Sequence, residues 1–230
     1  MYLSRKQSQA FLGNQEKNAQ GQTLEEFLEA YDPKIYDNPC NTVDTLVFTY
    51  SEANGEKKID KLLLIRRGNH PCIGFWAIPG GFVDYRENLK AAALRELQEE
   101  TGLTDIQAVT LKTYGDYDRD PRTRIITTAF AALVREEDLS FAAGDDASDA
   151  ALFTVSLTKQ EDGNLRLLLT NPKVSESVGA VISVTTENPF GIEEKTYHIV
   201  SRENLSADHG AIIAESYELV SAALKNQGKK

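Results

Sequence analysis

The stretch Gly81–Leu103, GFVDYRENLKAAALRELQEETGL, constrains this chain more than any other. Leu89, Ala92, Ala93 and Leu97 recur at helical spacing, and Gly102 stands where a left-handed C-terminal stop is expected. The pattern predicts a helix over Asn88 to Thr101. On that helix Arg95, Glu96, Glu99 and Glu100 fall at i, i+1, i+4 and i+5, so Glu96 lies beside both later glutamates. Three carboxylates on one face repel by a few tenths of a kcal/mol per exposed pair. The apolar stripe adjoins them, which places the acids at the edge of a core, as in a cleft. Arg95, solvent or a hard, oxygen-seeking divalent cation is needed to offset the repulsion. A solvated acidic face on an amphipathic helix is the common alternative for such a cluster.

Two local details favour a built site. Gly80-Gly81 brings a side-chain-free backbone beside the helix, where a carbonyl can join a metal site. Glu87 stands at the helix start, where a carboxylate favours the positive end of the dipole. The whole segment resembles the Nudix box, G-x5-E-x7-R-E-U-x-E-E-x-G-U with U aliphatic. It matches at Gly81, Glu87, Arg95, Glu96, Leu97, Glu99, Glu100, Gly102 and Leu103. The preceding Trp76-Ala-Ile-Pro-Gly-Gly is similar to the usual lead-in of that family.

The resemblance implies an α/β chain with the Nudix fold, a mixed β-sheet sandwiched between helices (α/β/α). It also implies cleavage of a nucleoside diphosphate derivative with Mg²⁺ or Mn²⁺. By that resemblance Glu96, Glu99 and Glu100, with the carbonyl of Gly81, hold the metal. Arg95 orients the glutamates and Glu87 helps position the site; a purely structural ion pair is the alternative for these two. The general base in this family often lies outside the box. Asp145 and Asp146, in the acidic run Gly144–Asp149, are the candidates, and Glu99 is the alternative from within it.

The substrate is read from a narrower resemblance. Gly115–Arg124, followed by Ile-Ile-Thr-Thr-Ala-Phe, is similar to the segment after the box in ADP-ribose pyrophosphatases. Asn41–Phe48, Asp208-His209 and Ile212-Ile213 resemble the same branch. The implied reaction takes ADP-ribose to AMP and ribose 5-phosphate. Arg119, Arg122 and Arg124, with Arg66 and Arg67, are candidates to grip phosphate or ribose, because a guanidinium fork suits bidentate oxygen recognition. The alternative is that the loop arginines only balance Asp116, Asp118 and Asp120. Trp76, Phe75 and Tyr117 are candidates to stack an adenine, although such aromatics are more often core. Two other functions stand beside this one: hydrolysis of another nucleotide, such as a nucleoside triphosphate or dinucleoside polyphosphate, and sensing of ADP-ribose without turnover. Regulators of the second kind often carry a degraded box and a winged helix; here the box is intact and no basic recognition helix follows it.

Lys+Arg 25 against Asp+Glu 35 leave a net charge of −10, which argues against nucleic acid as a partner. Gly81–Leu103 carries −2 of it and Arg135–Ala150 carries −5, so the excess sits largely on the proposed metal helix and base loop. Cys40 and Cys72 make neither a disulfide framework nor a zinc site. His70, His198 and His209 lack ligand spacing and receive no metal role; His209 is expected to cap a helix or support a neighbour. No apolar run approaches the roughly 18 residues of a membrane span, and the polar N-terminus does not read as a signal peptide. The expectation is a cytoplasmic protein without a membrane partner, and by resemblance a homodimer.

The chain divides in sequence into an arm with a short helix (1–40), the Nudix core (41–155), a strand-rich insertion (156–204) and a closing helix (205–230). Val43–Tyr50 and Lys61–Arg67 read as a hairpin turned at Asn54-Gly55. Further strands are expected over 106–114, 124–134, 150–155, 178–185 and 195–200, with a turn at Asp162-Gly163-Asn164. Their pairing cannot be read from sequence, and the insertion is free to lid the site, enlarge a dimer interface or do neither.

Overall fold

The computed structural model describes residues 2–13, 16–141 and 147–227. The chain separates into two compact units, Met1–Asn38 and Pro39–Lys230. In the first, helix α1 (Arg5–Ser8) and helix α2 (Leu24–Ala30) each begin with a capping box. Thr23 accepts the Glu26 N–H, and the Glu26 carboxylate accepts the Thr23 N–H in return.

The second unit is built on one sheet. Strand β1 (Cys40–Ala53) and strand β2 (Glu56–Arg67) form a hairpin. Asn54 and Gly55 both sit at positive φ, 55° and 79°, as a tight two-residue turn requires. Strands β3 (Trp76–Ala77) and β4 (Gly80–Phe82) pair with β2 and β1. Strand β5 (Ala108–Tyr114) pairs with strand β6 (Ile125–Val134), which runs parallel to β1. Strand β7 (Ala147–Lys159) pairs with β2 and continues as a meander through strands β8 (Leu165–Thr170), β9 (Val178–Glu187) and β10 (Glu194–Glu203). Among the described residues the order is β10-β9-β8-β7-β2-β1-β6-β5. The strand-rich stretch after residue 155 therefore continues the same sheet.

Two helices cover the sheet. Helix α3 (Leu89–Thr101) buries Ala92, Ala93 and Leu97 and ends at Gly102, whose φ of 74° and N–H to the Gln98 carbonyl make the expected left-handed stop. Helix α4 (His209–Gln227) buries Ile212, Ile213 and Ala214. Alternation along β1 sorts the two cores: Val43 and Val47 cluster with α3, and Leu46 and Phe48 with α4. Strand β2 does the same, with Leu63 toward α3 and Leu62 and Leu64 toward α4. Because both faces are covered, these central strands read as continuous apolar runs. The expected helix–sheet–helix architecture is the one observed.

Helix α4 starts later than the sequence suggests. Residues 204–206 are drawn onto β3 instead, and 207–208 turn into the helix. The Trp76 N–H donates to the Asn204 carbonyl at 2.9 Å, and the Ser206 N–H donates to the Trp76 carbonyl at 2.8 Å. Asn204 and Ala207 take positive φ, 49° and 39°, to make that path. No helix among the described residues is long and apolar enough to cross a membrane.

Candidate active site

Helix α3 meets the β3–β4 connection at a cavity of about 460 Å³, lined on one side by Arg95, Glu96, Glu99 and Glu100. The stripe that docks α3 on the sheet explains their depth. Glu96 and Glu100 flank Leu97 and are half-buried, whereas Glu99 points outward. Arg95 ties the loop to the helix. Its Nε and Nη2 donate to the two Glu87 oxygens at 2.9 and 2.8 Å. Its Nη1 donates to Glu96 Oε1 at 2.7 Å and Glu99 Oε2 at 3.0 Å, and Nη2 also reaches the Phe82 carbonyl at 3.0 Å. The bidentate arginine holds the Glu87 carboxyl below its usual range. Glu87 lies just before the Asn88 cap and receives the Asp84 N–H, so it fixes the approach to α3.

The inner glutamates behave differently. Burial is the main cause that raises Glu96, and Arg95 opposes it. Burial likewise pushes Glu100 up to about 8, against the Gly80 N–H that donates to its Oε2 at 2.8 Å. Nearby Glu96 and Asp44 add to that rise, and Arg67 lowers it. Gly81 is pressed onto the site: an added Cβ would lie 2.3 Å from Glu96 Oε2.

These donors suit a hard divalent cation. They are carboxylates beside a glycine backbone, and burial raises the pKa of both Glu96 and Glu100. Among the described residues no three His, Cys, Asp or Glu side chains close on a common point as a finished metal site. Arg95 takes Oε1 of Glu96 and Oε2 of Glu99, so each carboxylate keeps its other oxygen.

Arg67 lines the cavity and donates from Nε to the Pro71 carbonyl at 2.7 Å; among the described residues it is salt-bridged to no carboxylate. Arg119 and Arg122 also line the cavity but are already forked onto acids. Arg119 binds both oxygens of Asp208 at 2.9 and 3.0 Å, and Arg122 binds both oxygens of Asp120 at 3.0 and 2.8 Å. Arg66 is committed to Glu176 and the Gly74 carbonyl. Arg124 is exposed and does not line this cavity. Trp76 requires a correction. It is fully buried, edge-on to Phe153 at 4.8 Å between ring centroids, and offers no face to a ligand. Tyr117 and Phe75 do not line the cavity; Phe82 does, with the Arg122 guanidinium 5.2 Å from its ring centre. Asp145 and Asp146 lie outside the described residues.

One group escapes the sequence reading. Asp44 is an acid within an apolar strand, nearly buried, and accepts the Thr127 hydroxyl at 2.6 Å beside Glu100. A charged residue inside a strand buried on both faces was the available signal. His209 lines the same cavity and accepts the Ile78 N–H on Nδ1 at 2.9 Å. It supports a neighbour, one of the two roles open to it from sequence.

A sequence profile of the NUDIX domain matches residues 41–169, more than half of the chain. The chain belongs to the Nudix family. Within that family it is similar to the ADP-ribose pyrophosphatase of Methanocaldococcus jannaschii, at 37% identity over 123 residues, which is 54% of this chain and 66% of that protein. It is also similar to the ADPR responsive transcriptional repressor NtrR of Acinetobacter baylyi, at 38% identity over 110 residues, 47% of this chain and 42% of that protein. The matches thus span at most 66% of these two relatives. The crystal structure of a MutT/nudix family protein from Enterococcus faecalis superposes with a TM-score of 0.66 at 26% identity, covering 96% of this chain and 76% of that one. That superposition takes in the β8–β10 meander, which the profile match reaches only as far as residue 169.

Proposed function

We propose that this Nudix protein hydrolyses the pyrophosphate bond of a nucleoside diphosphate derivative, ADP-ribose, to AMP and ribose 5-phosphate, with Mg²⁺ or Mn²⁺. The observation that carries the reading is the placement of Glu96, Glu99 and Glu100, bound to Arg95 or Gly80, around the cavity that also holds Arg67. Glu96, Glu99, Glu100 and the Gly81 carbonyl would hold the cation. A bound divalent cation supplies charge stabilisation at the phosphates and an acidified water. Arg95 and Glu87 keep the carboxylates in position before substrate arrives. Arg67 supplies positive charge for the diphosphate. Glu99, the most exposed of the three, is the base candidate among the described residues; Asp145 and Asp146 remain candidates by resemblance alone.

ADP-ribose as the substrate is supported by the likeness to the Methanocaldococcus enzyme. The likeness to an ADPR responsive repressor favours a second reading, binding of ADP-ribose as a signal. The complete carboxylate ladder favours turnover. A panel of ADP-ribose, nucleoside triphosphates and dinucleoside polyphosphates, each with Mg²⁺ and with Mn²⁺, separates these readings. ADP-ribose turned over fastest, with AMP released, supports the proposal; tight ADP-ribose binding with no product in either metal supports the sensor.

A further inference from the structure

His209 is held from one side only. Its Nδ1 accepts the Ile78 N–H, so the neutral ring carries its proton on Nε2. Among the described residues Nε2 makes no hydrogen bond, and the buried side-chain atom left without a partner is Ser216 Oγ, not this nitrogen. The residue is 8% exposed and lines the cavity, so its free edge opens there. Burial holds its pKa below the usual value, against Asp44 and Asp208, which keeps it a neutral donor.

The ring is also placed with care. The bond to Ile78 leads through Pro79, whose carbonyl accepts the Thr45 N–H at 2.8 Å, to Gly80, whose N–H holds Glu100 at 2.8 Å. On the other side, the turn after β10 is stitched to both backbone groups of Trp76 before His209 opens α4. The meander whose role the sequence leaves open therefore ends by setting one wall of the cavity.

We propose that His209 reads the substrate: its Nε2–H donates a hydrogen bond to an acceptor oxygen on one sugar-phosphate half of the bound molecule. This inference rests on the ADP-ribose reading and adds a specificity residue outside the Nudix box. It also distinguishes recognition from bracing, because the two ring nitrogens have separate partners.

Two substitutions divide those roles. His209→Asn places an amide oxygen near the Nδ1 position and keeps an acceptor for Ile78, but has no donor reaching to Nε2. His209→Gln places an amide nitrogen near Nε2 and weakens the brace. The probe is ADP-ribose with its bridging oxygen replaced by methylene, which cannot be cleaved there, titrated calorimetrically with Mg²⁺. The expected result is binding weakened about 5- to 30-fold in His209→Asn at nearly unchanged melting temperature, and binding within about threefold of wild type in His209→Gln despite a lower one. In ¹⁵N-edited NMR of the wild type, the Nε2-bound proton should shift on adding the probe. The same comparison with AMP and with ribose 5-phosphate should show the His209→Asn defect for one of them, which assigns the oxygen to that half. Unchanged affinity in His209→Asn together with a static Nε2 proton overturns the inference and leaves the ADP-ribose reading standing. A wild-type protein that does not bind the probe overturns both.

Discussion

Gly81 and Glu96 approach so closely that a methyl group on Gly81 would stand 2.3 Å from Glu96 Oε2. The atom in the way is the end of a flexible side chain, so the fold can yield, but only by displacing the carboxylate. Gly81→Ala is therefore expected to melt close to wild type while losing about 10- to 100-fold in activity and in apparent Mg²⁺ affinity, the cost of disturbing metal-site support. A metal titration of the activity together with a thermal melt checks this. A large drop in melting temperature with normal metal dependence would contradict it.

Glu100 makes stability depend on pH. Its carboxyl titrates near 8 in the fold against an ordinary 4.5. Between those values the metal-free native state binds a proton that the unfolded chain does not. The contribution is thus complete below pH 4.5 and lost as pH rises through about 8. Its slope is at most about 1.4 kcal/mol per pH unit. Denaturant unfolding in EDTA should show wild type losing stability across this window relative to Glu100→Gln, which cannot ionise. Mg²⁺ should restore stability at the upper end, because a cation that binds only the native state stabilises it.

Arg67 and Arg122 line one cavity but differ in what already holds them. Arg122 is forked onto Asp120, whereas Arg67 has a carbonyl partner and, among the described residues, no salt-bridged carboxylate. Arg67→Gln should raise KM for ADP-ribose by about tenfold, the weight of one charge-assisted hydrogen bond. Arg122→Gln should raise it less. Steady-state kinetics of the two variants decide the order, and equal effects would count against Arg67 as the diphosphate contact.

Trp76 belongs to the core and not to the ligand. Trp76→Ala should cost about 3–5 kcal/mol of stability, in the range of large-to-small core changes. Trp76→Phe should keep KM for ADP-ribose within about twofold, since less than 0.5 kcal/mol of binding is then at stake. Chemical denaturation and kinetics of the two variants check both statements.

The parts of this molecule that could be read from sequence are local ones. The α3 stripe, its carboxylate face and the Gly102 stop follow from residues three or four apart. So does the Asn54-Gly55 hairpin, whose positive φ angles need residues of that kind. The rest depends on pairings between distant residues. Arg119 looks like a free phosphate ligand until Asp208, 89 residues later, takes its Nε and one of its Nη2 hydrogens. His209 could be read as supporting a neighbour, but not which one, because Ile78 lies 131 residues away. Trp76, beside an obvious motif, suggested a stacking surface, yet the packing of Phe153 from β7 encloses it. The order of β8–β10 likewise rests on sheet registers that local patterning does not encode.

The most direct measurement is the rate of AMP release from ADP-ribose in Mg²⁺ by the wild type, Glu96→Gln and Glu100→Gln, each verified as folded. The wild type should release AMP and ribose 5-phosphate in a metal-dependent way, and both variants should lose nearly all of that activity. Full activity in either variant, or a folded wild type that binds ADP-ribose without cleaving it in Mg²⁺ or Mn²⁺, would contradict this.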